Sequence, residues 1–177
     1  MEEMMQTSRL YIVPLTLDHA EKVYALTSQE KVARYMRFDT HSSLSQAENF
    51  CAEWIEEGCH AYWIEEKQTG NPVGVFALKP EEEKDVYSLS AFQDPSSWNQ
   101  KFSEWYNKEL LSFFCKYARK QWGAKALTAY VVGENMASRR SLERSGFFLQ
   151  EKIPVADLPS GLYRYRLEWG KAKGNVL

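Results

Sequence analysis

The chain has 177 residues, 44% of them hydrophobic and 26% charged, with 24 acidic side chains against 22 basic ones. That size fits one domain with one sizeable core, taken as residues 1–177, and a net charge of −2 argues against a general nucleic-acid binder. No apolar run approaches the roughly 18 residues that cross a membrane, and Met1–Met5 holds no apolar signal core.

A cytoplasmic protein without membrane or nucleic-acid partners is therefore expected, as a monomer or homodimer. Cys51, Cys59 and Cys115 have no metal-type spacing, so reduced thiols and no metal are expected. Six tryptophans and ten tyrosines allow two readings, a rich core or an aromatic-lined cleft as well.

Arg9–Leu15 reads as a strand, and Thr16 then caps a helix with Leu17, Ala20, Val23, Tyr24 and Leu26 near helical spacing. Residues 37–43 are a polar loop carrying His41. Ser43 and Gln46 form a capping box, opening a helix to about Glu57 with Ala47, Phe50, Cys51, Trp54 and Ile55 on one face. His60–Glu66 and Pro72–Leu78 flank a Thr-Gly-Asn turn, the pattern of a hairpin. Glu81–Asp85 reads as a solvated charged turn. Val86–Phe92 is another strand, and residues 93–101 are an irregular connection. From about Glu104 to Gln121, the spacing of Leu110, Leu111, Phe113, Phe114, Tyr117 and Ala118 predicts a long amphipathic helix, which Gly123 ends. Ala126–Val132 is a buried strand. A short basic helix from Asn135, a Gly146–Phe147 exit into a further strand, and a last strand over Gly161–Trp169 complete the pattern.

The run Asn135-Met-Ala-Ser138 through Leu142-Glu143 to Gly146-Phe147, with this element order, resembles the GCN5-related N-acetyltransferase (GNAT) superfamily. Within it, the Rim-type ribosomal-protein alanine acetyltransferases and related small-molecule-modifying enzymes look most similar. The resemblance runs from Ser8 to Leu167 and is most specific in the C-terminal half. It implies a single α/β (α+β) GNAT-like domain, with a mixed, mostly antiparallel sheet of about six or seven strands and about four helices. It also implies acetyl-CoA as co-substrate, and as acceptor a primary amine on a small molecule or a protein N-terminus.

The resemblance places site residues. Ala91, Phe92 and Gln93 are expected to lend backbone groups to the pantetheine arm and the thioester oxygen. Asn135 matches the asparagine that bonds the pantetheine. Ser138 matches the serine near the sulfur, a candidate to stabilise or protonate the thiolate; a plain helix-start serine is the alternative. The tyrosine that serves relatives as acid is replaced by Glu143. One or two of Arg139, Arg140 and Arg144 are expected at the phosphates, with another solvated; a merely basic surface helix is the alternative.

Relatives place a glycine-rich loop before the long helix, where backbone amides meet the pyrophosphate. Here no glycine lies between Gly74 and Gly123. Alignment puts Phe102–Glu109 in that place, with Ser103, Trp105, Tyr106, Asn107 and Lys108 as the expected contacts. A four-residue shift would use Trp98–Ser103 instead. Either the loop binds CoA in an altered geometry or binding is weakened or lost, so a non-catalytic binding or regulatory protein is the alternative function. The general base is open between Glu65, Asp85, His41 and a water held by Tyr87. Tyr62, Trp63, Phe76 and Trp98 suit either a core or an acceptor cleft.

Overall fold

The computed structural model describes residues 3–56, 58–98 and 100–169, with the side chains of 100–105 outside that description. Strands β1 (Met5–Gln6), β2 (Leu10–Pro14), β3 (His60–Glu66), β4 (Pro72–Pro80), β5 (Val86–Gln93), β6 (Ala126–Val132), β7 (Phe148–Val155) and β8 (Leu158–Glu168) form one sheet. Its spatial order is β1-β2-β3-β4-β5-β6-β8-β7. All neighbours run antiparallel except β5 and β6, which are parallel. The helices are α1 (Ala20–Thr27), α2 (Glu30–Ala33), α3 (Leu44–Glu56), α4 (Gln100–Trp122) and α5 (Met136–Arg144).

Eight strands and five helices exceed the expected counts by elements too short to carry a period. The additions are the two-residue β1 and the one-turn α2. Local signals otherwise act where the sequence places them. Thr16 N–H donates to His19 Nδ1 at 3.1 Å, at a 3-10 turn leading into α1. Gln46 reaches back to the N–H of Ser42 at 2.6 Å, one residue earlier than a capping box on Ser43 would have it. Gly70 takes the left-handed conformation of the β3–β4 turn. Gly123 does the same just past α4, where the Ala124 N–H bonds the Ala118 carbonyl.

Side chains alternate across the sheet and so build two cores. On one face α4 and α5 bury Tyr62, Phe76, Leu110, Phe114, Leu127 and Tyr165. On the other, α1, α2 and α3 cover Trp63, Val75, Ala77 and Phe92. That second cover extends only from β2 to β5. Farther along the same face, β6 and β8 present Thr128, Tyr130, Arg164 and Arg166, which share registers with one another. The central sheet is thus a floor with a helical layer on one side and an open, polar half on the other.

Candidate active site

The parallel pair sets the site. Its register runs Val86–Ala126, Tyr87–Leu127, Ser88–Thr128 and Leu89–Ala129, then stops. Beyond that point β5 stays on β4, with Phe76–Ala91, Val75–Phe92 and Gly74–Gln93 as partners. β6 meanwhile stays on β8, through Tyr130–Arg164 and Val131–Tyr163. The two strands therefore diverge, leaving the inner backbone edges of 90–93 and 130–132 without each other as partners. Such a gap at the carboxyl ends of parallel strands admits a ligand's extended arm and offers it backbone groups. Ala91, Phe92 and Gln93 all lie in the diverging stretch.

Both following helices begin at this end of the sheet. β6 turns through Gly133 and Glu134 into α5, whose N-cap is Asn135; its Oδ1 accepts from the Ser138 N–H at 3.2 Å. Ser138 is half-buried, and its hydroxyl has no hydrogen-bond partner among the described residues. After β5, Asp94 stabilises a tight turn: its Oδ1 accepts from the N–H of Ser96 at 2.8 Å. A 3-10 turn over Pro95–Trp98 follows, and α4 starts at Gln100. The amides of its first three residues, 100–102, have no partner within it, and the helix dipole adds partial positive charge there.

This geometry corrects the expectation for Phe102–Glu109. These residues are inside α4, in the register of the shifted alignment, not in a loop before it. The amides of Ser103, Trp105, Tyr106, Asn107 and Lys108, from the fourth helical position onward, are consumed by helical bonding. The side chains of Ser103 and Trp105 lie outside the described residues. Tyr106 faces the core, 4% exposed, and donates its hydroxyl to Glu66 Oε1 at 2.7 Å. Burial and this carboxylate push the phenol's pKa upward. Lys108 is exposed on the helix surface. Asn107 accepts a hydrogen bond from the Gln93 side-chain amide, tying the end of β5 to the second turn of α4. No left-handed residue is used in this connection among the described residues.

Arg139 also departs from its expected place at a phosphate. Its Nη1 donates to the Gly133 carbonyl at 3.0 Å and its Nε to the Tyr165 hydroxyl at 3.1 Å. The guanidinium lies 4.2 Å from the centre of the Tyr163 ring. These contacts dock α5 on β8. Arg140, by contrast, is exposed. Tyr165 in turn donates to Glu143 Oε1 at 2.7 Å. Glu143 thus serves as the acceptor of a buried tyrosine hydroxyl, a role that its helix register alone could not reveal.

Sequence reasoning also missed the polar cluster on the open face. Glu81 was expected to be solvated. It instead accepts from the Thr128 hydroxyl, from Arg164 Nη2 at 3.2 Å and, more distantly, from the Tyr130 hydroxyl at 3.4 Å. Arg166 grips Glu83 through two bonds at 2.7 and 2.9 Å. The available signal was the alternation Arg164, Arg166, Glu168 in β8, which puts these side chains on one face. Trp63 and Phe76 are core residues, and Tyr62 is fully buried. Trp98 is 44% exposed.

Among the described residues no group of three or more potential ligands could hold a metal ion, and no helix is long and apolar enough to cross a membrane. A diverging parallel pair with two helix N-termini at its open end suits a ligand with an extended arm and an anionic end, as an acyl-CoA has. Comparison with known proteins agrees: the family model described as an acetyltransferase (GNAT) domain matches residues 9–148. The chain belongs to this GNAT acetyltransferase family and is an acyltransferase enzyme. An uncharacterized N-acetyltransferase, YoaA of Bacillus subtilis, is 26% identical over 148 residues, 81% of each chain. RimL, a ribosomal L7/L12 alpha-N-protein acetyltransferase solved with coenzyme A, superposes with a TM-score of 0.77 at 15% identity, covering 94% of this chain and 98% of its own. A spermidine N-acetyltransferase from Vibrio cholerae, solved with CoA and spermine, gives 0.75 at 14% identity, covering 92% and 96%.

Proposed function

We propose that the protein transfers acetyl from acetyl-CoA to a primary amine, on a small molecule or a protein N-terminus, by direct attack on the thioester. The observation that carries this reading is the divergence of β5 from β6 after Leu89 and Ala129, with α4 and α5 both starting at the gap. The relatives solved with coenzyme A, one acting on a protein N-terminus and one on a polyamine, support it. They also support a place near the Rim-type branch.

Each part of the chemistry has a candidate. The pyrophosphate takes the free amides of residues 100–102, with Arg140 as an exposed cation on α5. The edges of Ala91, Phe92 and Gln93 hold the pantetheine and face charge growing on the thioester oxygen. Asn135 keeps its side-chain NH₂ for the pantetheine while its oxygen caps α5. The Ser138 hydroxyl donates to the departing thiolate.

Titration calorimetry with acetyl-CoA, followed by release of free thiol when amines are added, tests the reading. Micromolar to sub-millimolar binding with amine-dependent thiol release is expected. No binding at millimolar acetyl-CoA would end it.

A further inference from the structure

An ammonium has no lone pair, so some group must take a proton from the acceptor before attack. The four candidates named from the sequence occupy very different places. Asp85 sits beside Val86 at the paired end of β5 and β6, bound to Lys125 Nζ at 2.8 Å. Tyr87 faces the α4 side and packs on Trp122 at 5.2 Å between ring centres, again at the paired end. Glu65 lies three strands from the gap. It holds Lys22 Nζ and Trp63 Nε1, each at 2.7 Å. Burial opposes its charge, but these donors more than offset that and keep its pKa below the usual carboxylate range.

His41 is different. It stands in the loop between α2 and α3, on the face opposite α4 and α5. Its ring centre is 5.5 Å from those of Phe38 and Phe50. Both phenylalanines touch Phe92, at 5.6 and 5.9 Å, and Phe92 belongs to the diverging end of β5. Its backbone N–H is fixed on the Thr27 carbonyl at 3.1 Å. Its Nδ1, however, is buried with no hydrogen-bond partner. A buried polar atom without a partner costs roughly 1–3 kcal/mol, and a site for a substrate proton gives it one. Across the open face, Arg37 of the same loop reaches Asp157 at the β7–β8 turn, 3.9 Å away, so loop and hairpin approach each other there.

We propose that His41 is the proton acceptor for the attacking amine, which enters from this open face and meets Nδ1 directly or through one water. The inference rests on the acetyl-transfer reading above. The step balances as follows. Nδ1 takes one proton from the ammonium, giving an imidazolium and a neutral amine. The nitrogen lone pair forms the C–N bond to the thioester carbon, and the C–S bond breaks. The second nitrogen proton passes to the sulfur by way of the Ser138 hydroxyl, and the imidazolium returns its proton to solvent. Each turnover gives one amide, one CoA thiol and one released proton.

The surroundings suit the role. Burial lowers the imidazole's pKa below the ordinary histidine value, so it is neutral at pH 7 and able to accept. The charged groups on neighbouring segments are Arg37 and Asp39 in its loop, Glu48 and Glu53 on α3, and Asp157 on the hairpin, all solvent-exposed. Burial is the one resolved cause of the shift.

The test is the pH profile of kcat/KM for wild type, H41N, H41A and E81Q, with acetyl-CoA and either spermine or a short peptide with a free N-terminus. H41N keeps a polar atom near Nδ1 but cannot carry a proton in this range. Expected are an acid limb of slope one in the wild type and its loss in H41N. The kcat of H41N should fall about 100-fold with acetyl-CoA affinity within about twofold. H41A should behave likewise, with thermal melts showing that both variants fold. An unchanged limb and kcat in H41N overturn the proposal while leaving acetyl transfer intact, and so does loss of the limb in E81Q instead. If the wild type releases no thiol, the transfer reading has failed. The His41 imidazole signal in NMR then decides separately: a shift on adding spermine to the CoA-bound protein upholds the contact, and an unmoved signal overturns it.

Discussion

At Gly74, φ is 152°, and a Cβ built there would lie 2.2 Å from the Phe92 carbonyl oxygen and 2.7 Å from Gln93 Cα. Both obstacles are backbone, so neither can turn aside, and the φ is one that side-chain-bearing residues avoid. This glycine lets β4 hold the end of β5 where it parts from β6. Gly74→Ala should therefore destabilise the fold by about 2 kcal/mol or more. It should also displace Phe92 and Gln93, so acetyl-CoA affinity falls along with the melting temperature. A variant that melts lower but binds acetyl-CoA normally would show that the end of β5 is not part of the site. Asn135 and Ser138 were legible as a motif because their relation is local: an N-cap and the amide three residues on. Arg139 was not, because what it binds, Tyr165 on β8, is 26 residues away and its hydroxyl position depends on sheet register. Glu81 escaped for the same reason; the donors Thr128 and Arg164 come from strands that the sheet brings together late in the chain.

The long helix shows how far periodicity reaches. Of its readable apolar stripe, Leu110, Leu111, Phe114 and Ala118 are buried and Phe113 and Tyr117 half-buried, but the helix begins at Gln100, earlier than the stripe. A first turn over the binding gap needs no apolar face, so a pattern read from burial starts late. The same helix is tied at its third turn to the far edge of the sheet. Glu109 accepts from the Ser8 hydroxyl and the Arg9 N–H, both at 3.1 Å, and from Arg9 Nε at 2.7 Å. Burial would raise its pKa, but bonds from Thr7, Arg9 and Ser8 prevail and hold it below the usual carboxylate range. Because Arg9 is 38% exposed, water screens part of the pairing. Glu109→Gln, which keeps the shape but removes the charge, should cost roughly 1–2 kcal/mol and lower the melting temperature by about 2–8 °C. A melt unchanged within one degree would mean that the tie is idle and that α4 is held by Leu110 and Phe114 alone.

Across the whole molecule, the two sheet faces divide the work. The face under α4 and α5 is dry and carries the helix ends that suit a cofactor's phosphates. The other is dry only from β2 to β5 and polar beyond, which leaves room for an acceptor. Histidines on this second face link its chemistry to stability. Burial lowers the pKa of His19, helped by Lys22, and burial alone lowers that of His41. Each is more easily protonated in the unfolded chain than in the folded one, so the unfolded state binds more protons as pH drops. Their contribution is complete above the ordinary histidine value, about 6.5, and is lost as pH falls from there through the lowered folded values. Glu65 and Glu109, also lowered, add a second loss that begins near the ordinary carboxylate value, about 4.3, and has the same sign. Urea midpoints measured at intervals from about pH 7.5 to about pH 2.5 should therefore fall in two stages. In H41N the first stage should shrink to the part owed to His19, while the second is unchanged. A first stage equally steep in H41N would show that His41 is as solvated in the folded protein as in the unfolded chain, contrary to its place against Phe38 and Phe50.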